Sequence, residues 1–127
     1  MTEKNVPAGP PAEVYRRYLE GGELGFQRCE GCGAAVFYPR VLCPVCGSAL
    51  LEWQPSGGRG VVYATTAVYR RDAEPYNVVL VNLEEGFRMM SRVEGVPAEE
   101  VDVGMGVVLR VREEADGPVV VFVPEER

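Results

Sequence analysis

Four cysteines carry the clearest chemistry in this 127-residue chain, and they are all the cysteines it has. They fall in two short runs, Cys29-Glu30-Gly31-Cys32-Gly33 and Cys43-Pro44-Val45-Cys46-Gly47, with ten residues between Cys32 and Cys43. A two-residue gap lets both sulfurs of one turn reach the same ion. The glycine after each second cysteine lets the backbone turn with positive φ, so that amide N–H groups can point at the thiolates. Two such knuckles facing each other make a closed, tetrahedral four-sulfur site. Zinc is the expected occupant. Iron is the alternative, since tetrahedral sulfur admits either metal and Cys-Pro-x-Cys-Gly suits iron as well. A disulfide or redox pair is the third reading, and paired cysteines in a protein that is not exported more often bind metal. A site with four protein ligands leaves no open position, so its ion shapes the fold and does no chemistry.

The rest of the chain is poor in catalytic groups. It contains no histidine and a single lysine, Lys4. Glu84 and Glu85 are adjacent carboxylates, but neighbours at a strand end point apart, so they read as a solvated turn and not as an acid–base pair. Nineteen acids against thirteen bases give a net charge of −6, which argues against broad binding to a phosphate backbone. No apolar run is long enough to span a membrane. The start, Met1-Thr2-Glu3-Lys4-Asn5, lacks the apolar stretch of a signal peptide, and a cytoplasmic protein is expected.

The elements that must hold the cysteines can be read from periodicity. Residues 1–10 read as loose, broken by Pro7, Gly9 and Pro10. Pro11 suits the first turn of a helix, along which Val14, Tyr15, Tyr18 and Leu19 share one face, and Gly21-Gly22 ends it. That face packs on the chain's own domain or docks Tyr15 and Tyr18 on a partner. Residues 24–54 form the metal module, a zinc ribbon. Leu24, Phe26, Val36, Phe37, Tyr38, Leu42, Leu51 and Trp53 serve as its core or as its seam with the next module. A module this small needs the ion for folding energy.

After the joint Pro55-Ser56-Gly57-Gly58 the period changes to two. Strands are predicted at Gly60–Arg70, Tyr76–Leu83, Phe87–Glu94, Val107–Val111 and Val119–Val123. The second is apolar on both faces. A non-strand insert over 95–103 separates the third from the fourth. A long first strand and that insert are the order of an OB-fold, a five-stranded Greek-key barrel, with an SH3-like barrel as the nearest competitor. The fold class is therefore mainly β: a short N-terminal helix, a four-cysteine zinc ribbon and a five-stranded OB-fold barrel. The expected boundaries are 1–23, 24–54 and 55–127.

The ordered set of motifs resembles the rubredoxin-like zinc-ribbon proteins with an acyl-CoA-associated OB-fold. It is carried by Tyr18-Leu19-Glu20-Gly21-Gly22, Gln27-Arg28-Cys29, Tyr38-Pro39-Arg40 and the second knuckle. Gly60-Val61-Val62-Tyr63, Pro75-Tyr76-Asn77-Val78 and Gly104-Met105-Gly106 complete it. The resemblance implies a non-catalytic subunit of a thiolase-like acyl-CoA enzyme, in a hetero-oligomer of the two-plus-two kind. It implies that the OB-fold helps bind the CoA thioester as a ligand shared with the partner. The CoA moiety is a pantetheine arm ending in an anionic nucleotide, so an apolar wall and a few arginines would suit it. Candidate contacts are Arg70, Arg71, Arg88 and Phe87, with Tyr69 and Tyr76 nearby. A nucleic-acid-binding ribbon/OB module is the alternative function, and the acidic balance counts against it.

Overall fold

A computed structural model describes residues 9–125. The loose N-terminal stretch expected over 1–10 lies almost wholly outside the described residues. A single helix, α1 (Pro11–Glu20), begins with Pro11 at its first turn. It buries Val14 and Leu19 and ends where the Gly21 and Gly22 amides bond back to the last carbonyls. The helix lies on its own chain. Tyr18 stacks on Trp53 at 5.6 Å, and Tyr15 meets Phe37 edge-on at 5.7 Å. Burial, reinforced by Tyr38, pushes the Tyr15 hydroxyl up to about 12. Both tyrosines offered above for a partner are thus already engaged within the chain. Gly25 makes this seat possible, because a Cβ there would lie 2.4 Å from the Tyr18 ring.

The metal module is a three-stranded antiparallel sheet of β1 (Gly25–Cys29), β2 (Ala35–Val36) and β3 (Leu51–Pro55), in the order β2-β1-β3. Gln27 sits almost wholly buried in β1. Its side-chain amide accepts from the Arg40 N–H at 2.7 Å and donates to the Arg40 carbonyl at 2.9 Å. One side chain thereby takes the place of a strand neighbour and fixes the loop between the knuckles.

The second sheet has five strands: β4 (Arg59–Val68), β5 (Tyr76–Leu83), β6 (Arg88–Ser91), β7 (Gly106–Glu114) and β8 (Gly117–Pro124). Their order is β6-β5-β4-β7-β8. All five expected strands are present, and the expected insert holds one 3-10 turn, Ala98–Glu100. The third strand is shorter than expected. The hairpin of the last two is longer, because Arg112, Glu113 and Glu114 continue the pairing in spite of their charge. β5 is not buried on both faces. Asn77, Val79, Val81 and Leu83 point inward, while Val78 and Leu80 are half-exposed. Strand β4 bends at a bulge between Val62 and Ala64. That bend lets its first half pair with β7 while its whole length pairs with β5.

The sheet curls until its two edge strands meet. Val93 and Phe122 form a parallel bridge, with Glu94 N–H donating to the Phe122 carbonyl and Phe122 N–H to the Arg92 carbonyl. Asn77 holds that closure from inside. Only 4% exposed, it donates to the Val93 carbonyl at 2.9 Å and accepts from the Val93 N–H at 2.8 Å. Replacing Asn77 by leucine strands both backbone groups of a buried residue, and we expect a loss of roughly 2–5 kcal/mol. Urea unfolding of wild type and Asn77→Leu measures it.

Candidate metal centre and ligand surface

Each knuckle is built the same way. Gly33 and Gly47 both sit at φ 81°, where a Cβ would be strained, and each returns its amide to the first cysteine's carbonyl. The turn this produces aims amides inward. Gly31 and Cys32 N–H donate to Cys29 Sγ at 3.3 and 3.4 Å, and Val45 N–H donates to Cys43 Sγ at 3.4 Å. The Cys32 amide, and after it that of Gly31, draws the Cys29 thiol down to about 6 against the opposing effect of burial. The Cys46 amide likewise lowers Cys43. For Cys32 the Ala34 amide also lowers, but burial and the neighbouring sulfurs outweigh it and push the thiol up to about 12. Cys46 is raised in the same manner despite the Ser48 amide.

All four sulfurs lie within 4.8 Å of one another. The cross-knuckle separations are 3.6 Å for Cys29 to Cys46 and 3.7 Å for Cys32 to Cys43. A tetrahedron with metal–sulfur bonds of about 2.3 Å has edges of about 3.8 Å, so the donor set fits a four-coordinate soft metal. It does not fit a disulfide, whose sulfurs stand about 2.05 Å apart. A cation also resolves the split in thiol acidity, since every coordinated sulfur is a thiolate.

The four candidate ligand contacts do not converge. Phe87 is only 6% exposed and stacks on Phe26 and on Phe37, both at 4.9 Å. It is the joint between ribbon and barrel, not a surface residue, which corrects its reading as a ligand or partner contact. Arg88 opens β6 with an exposed side chain, its guanidinium 3.6 Å from the Tyr63 ring centre and bonded to Asn82 Oδ1 at 2.7 Å. Arg70 lies past the far end of β4, over the Tyr76 ring at 4.9 Å, with Arg71 exposed beside it. Along the strand these two groups are on the order of 20 Å apart.

Other residues matter whose roles are not apparent from the sequence. Glu85 is not a solvated turn acid. Its carboxylate accepts from Ser56 Oγ at 2.8 Å and Gly57 N–H at 2.7 Å, while its carbonyl accepts from Arg28 at 3.2 Å, clamping the joint after the ribbon. Several other arginines are paired with acids: Arg59 with Glu84 and Glu125, and Arg92 and Arg112 with Glu94 and Glu114. No basic groove of the kind that tracks nucleic acid is formed by these groups. Tyr38 and Leu42, expected in the ribbon core or seam, are half-exposed, and Val41 and Val45 beside them are more exposed still.

Comparison with known proteins defines the class. Residues 20–52 match the ChsH2 rubredoxin-like zinc ribbon domain, and residues 53–112 match the ChsH2 C-terminal OB-fold domain. A DUF35 domain-containing scaffold protein of Pyrococcus furiosus is 33% identical over 112 residues, covering 82% of each chain. The benzoylsuccinyl-CoA thiolase subunit BbsA of Thauera aromatica is 30% identical over 115 residues, 84% of this chain and 74% of that one. The chain also matches a probable enoyl-CoA hydratase alpha subunit of Thermomonospora curvata, 33% identical over 90 residues, but spans only 28% of its length. Among solved structures, the Ltp2-ChsH2(DUF35) aldolase superposes with a TM-score of 0.80 at 29% identity, over 93% of this chain and 98% of that one. This chain belongs to the ChsH2/DUF35 family of zinc-ribbon and OB-fold proteins. No described helix is long and apolar enough to cross a membrane.

Two measurements test this geometry. Metal analysis of protein purified without added metal should give about one equivalent per chain with no visible absorption band. Iron with a charge-transfer band would replace the zinc assignment. Phe87→Ala should cost about 3–5 kcal/mol in thermal or urea unfolding, as a core truncation does; a change near zero would restore Phe87 to the surface.

Proposed function

We propose that this chain is the non-catalytic, zinc-binding subunit of a thiolase-like acyl-CoA enzyme, whose CoA moiety it helps to hold. The observation that carries the reading is the match, across most of the chain, to a thiolase subunit and to the ChsH2 component named in an aldolase. Two features of the chain support it. The cysteine site has four donors and no position left for substrate, and the chain contains no histidine. Several of the described acids serve structure: Glu85 clamps the joint, and Glu94 and Glu114 pair with arginines. The partner, a thiolase-fold enzyme, supplies the reacting groups, and a two-plus-two assembly is the natural one.

Within this reading Cys29, Cys32, Cys43 and Cys46 hold zinc, and residues 24–54 and 55–127 act as ribbon and OB-fold. The ion's contribution is to folding, on the order of 10–16 kcal/mol in small peptides near neutral pH. What the chain's own residues do is rigidify. The Phe26–Phe87–Phe37 stack and the Glu85 clamp fix the ribbon on the barrel, so that both can present one surface to the partner.

The test is co-expression with a thiolase-fold enzyme of the native host. The two should co-elute, and the enzyme should lose most of its activity without this subunit. Separate elution with full activity of the enzyme alone would overturn the proposal.

A further inference from the structure

The two knuckles share a backbone but differ in one side chain that bears on the sulfurs. Gly31 in the first corresponds to Val45 in the second. Each gives its amide to the first cysteine of its own turn, at 3.3 and 3.4 Å. A Cβ on Gly31 would stand 3.6 Å from both Cys29 Sγ and Cys46 Sγ, and 3.5 Å from the Ser48 Cβ. These are ordinary contacts, and the φ of Gly31 lies outside the left-handed region, so a side chain would fit there. Glycine leaves the place empty. The cross-knuckle pair Cys29–Cys46, 3.6 Å apart, is therefore unroofed on that side. By the likeness of the two turns, Val45 lays its side chain on the other cross-knuckle pair, Cys32–Cys43. Of the unroofed pair, Cys46 is exposed and Cys29 is buried.

We propose that the gap over Gly31 admits hydrogen peroxide to the Cys29–Cys46 pair, and that their oxidation to a disulfide releases the zinc and loosens the ribbon. This goes beyond the functional reading above and shares with it only the zinc. The exposed sulfur meets the oxidant first. The Cys46 thiolate attacks one peroxide oxygen, the O–O bond breaks, and the departing hydroxide takes a proton to become water. Cys46 is left as a sulfenic acid. The Cys29 thiolate then attacks the Cys46 sulfur and expels hydroxide, which takes a second proton. Two thiolates, one peroxide and two protons become one disulfide and two waters, with two electrons passing from sulfur to oxygen. Cys32 and Cys43 alone are half of a tetrahedral donor set. Once the ion has left, the buried cluster of Cys29, Val36 and Cys43 is too small to hold the ribbon.

The test treats the full-length, zinc-loaded chain with hydrogen peroxide, after metal analysis of the untreated protein. Zinc release is followed with a colorimetric chelator, and disulfides are mapped by mass spectrometry of peptides. Wild type should release its zinc with Cys29–Cys46 as the first disulfide, and dithiothreitol with added zinc should reverse the change. Gly31→Val should slow release about tenfold, because access governs thiolate oxidation, at unchanged zinc content and melting temperature. Gly31→Ala should slow it less, and it carries the comparison if valine disturbs the knuckle. Val45→Gly should bring in Cys32–Cys43 as a second disulfide. Cys32–Cys43 as the first disulfide of wild type overturns the proposal, as do equal release rates in wild type and both Gly31 variants. Zinc that stays bound under excess peroxide overturns it too. A chain that carries no zinc before treatment overturns the zinc assignment and this proposal with it, while co-elution with a thiolase-fold enzyme decides the function separately.

Discussion

Four sulfurs within 4.8 Å of one another make a dense knot of potential negative charge, and a cation is what lets all four be thiolates at once. The chain prepares for that ion in two ways. Each knuckle turns on a glycine at positive φ, and each first cysteine collects amide N–H groups that favour its thiolate. Beyond the two Gln27–Arg40 hydrogen bonds, the loops around the site have little apolar burial to hold them. Tyr38, Val41, Leu42 and Val45 stand largely exposed around the site, and the buried cluster beneath it consists of Cys29, Val36 and Cys43. Metal coordination therefore stands where a hydrophobic core would stand in a larger module.

The ribbon's other face is where it joins the barrel. Leu24 and Phe26 leave the ribbon to enter the main core, and Phe87 receives Phe26 on one side and Phe37 on the other. Stacked rings of this kind add to plain area burial and fix an angle as well as a distance. The Glu85 carboxylate then captures the chain as it crosses from β3 to β4. Under the function proposed above this stiffness has a use, because a wall lent to a partner enzyme must stay where it is put.

Much of this was legible in the amino-acid sequence. Cysteine spacing is a covalent pattern that needs no tertiary knowledge. The two-residue period of valine-rich segments marked all five barrel strands. The misreadings came where a residue's partner is distant. Phe87 alternates with Arg88 and so announces one inward and one outward side chain, but nothing local says that the inward side meets Phe26 and Phe37. Glu84-Glu85 has the composition of a solvated turn, and only the tertiary approach of Ser56 and Gly57 makes Glu85 a clamp. Asn77 and Gln27 interrupt apolar strands with amides whose role is to imitate a neighbouring strand, a role visible only once the strand is missing. The charged run Arg112-Glu113-Glu114 looked like a strand's end because charge predicts exposure, and an exposed hairpin can still pair.

Trp53, the one tryptophan, stands on the last ribbon strand and stacks on Tyr18 of the helix, so its emission reports on the ribbon and its seat together. The decisive measurement is a chelator titration of the purified chain, following Trp53 emission alongside bound metal. The account predicts that emission moves to longer wavelength in step with metal loss and returns when zinc is restored. A metal-free chain whose Trp53 emission and melting temperature match those of the loaded protein would contradict it.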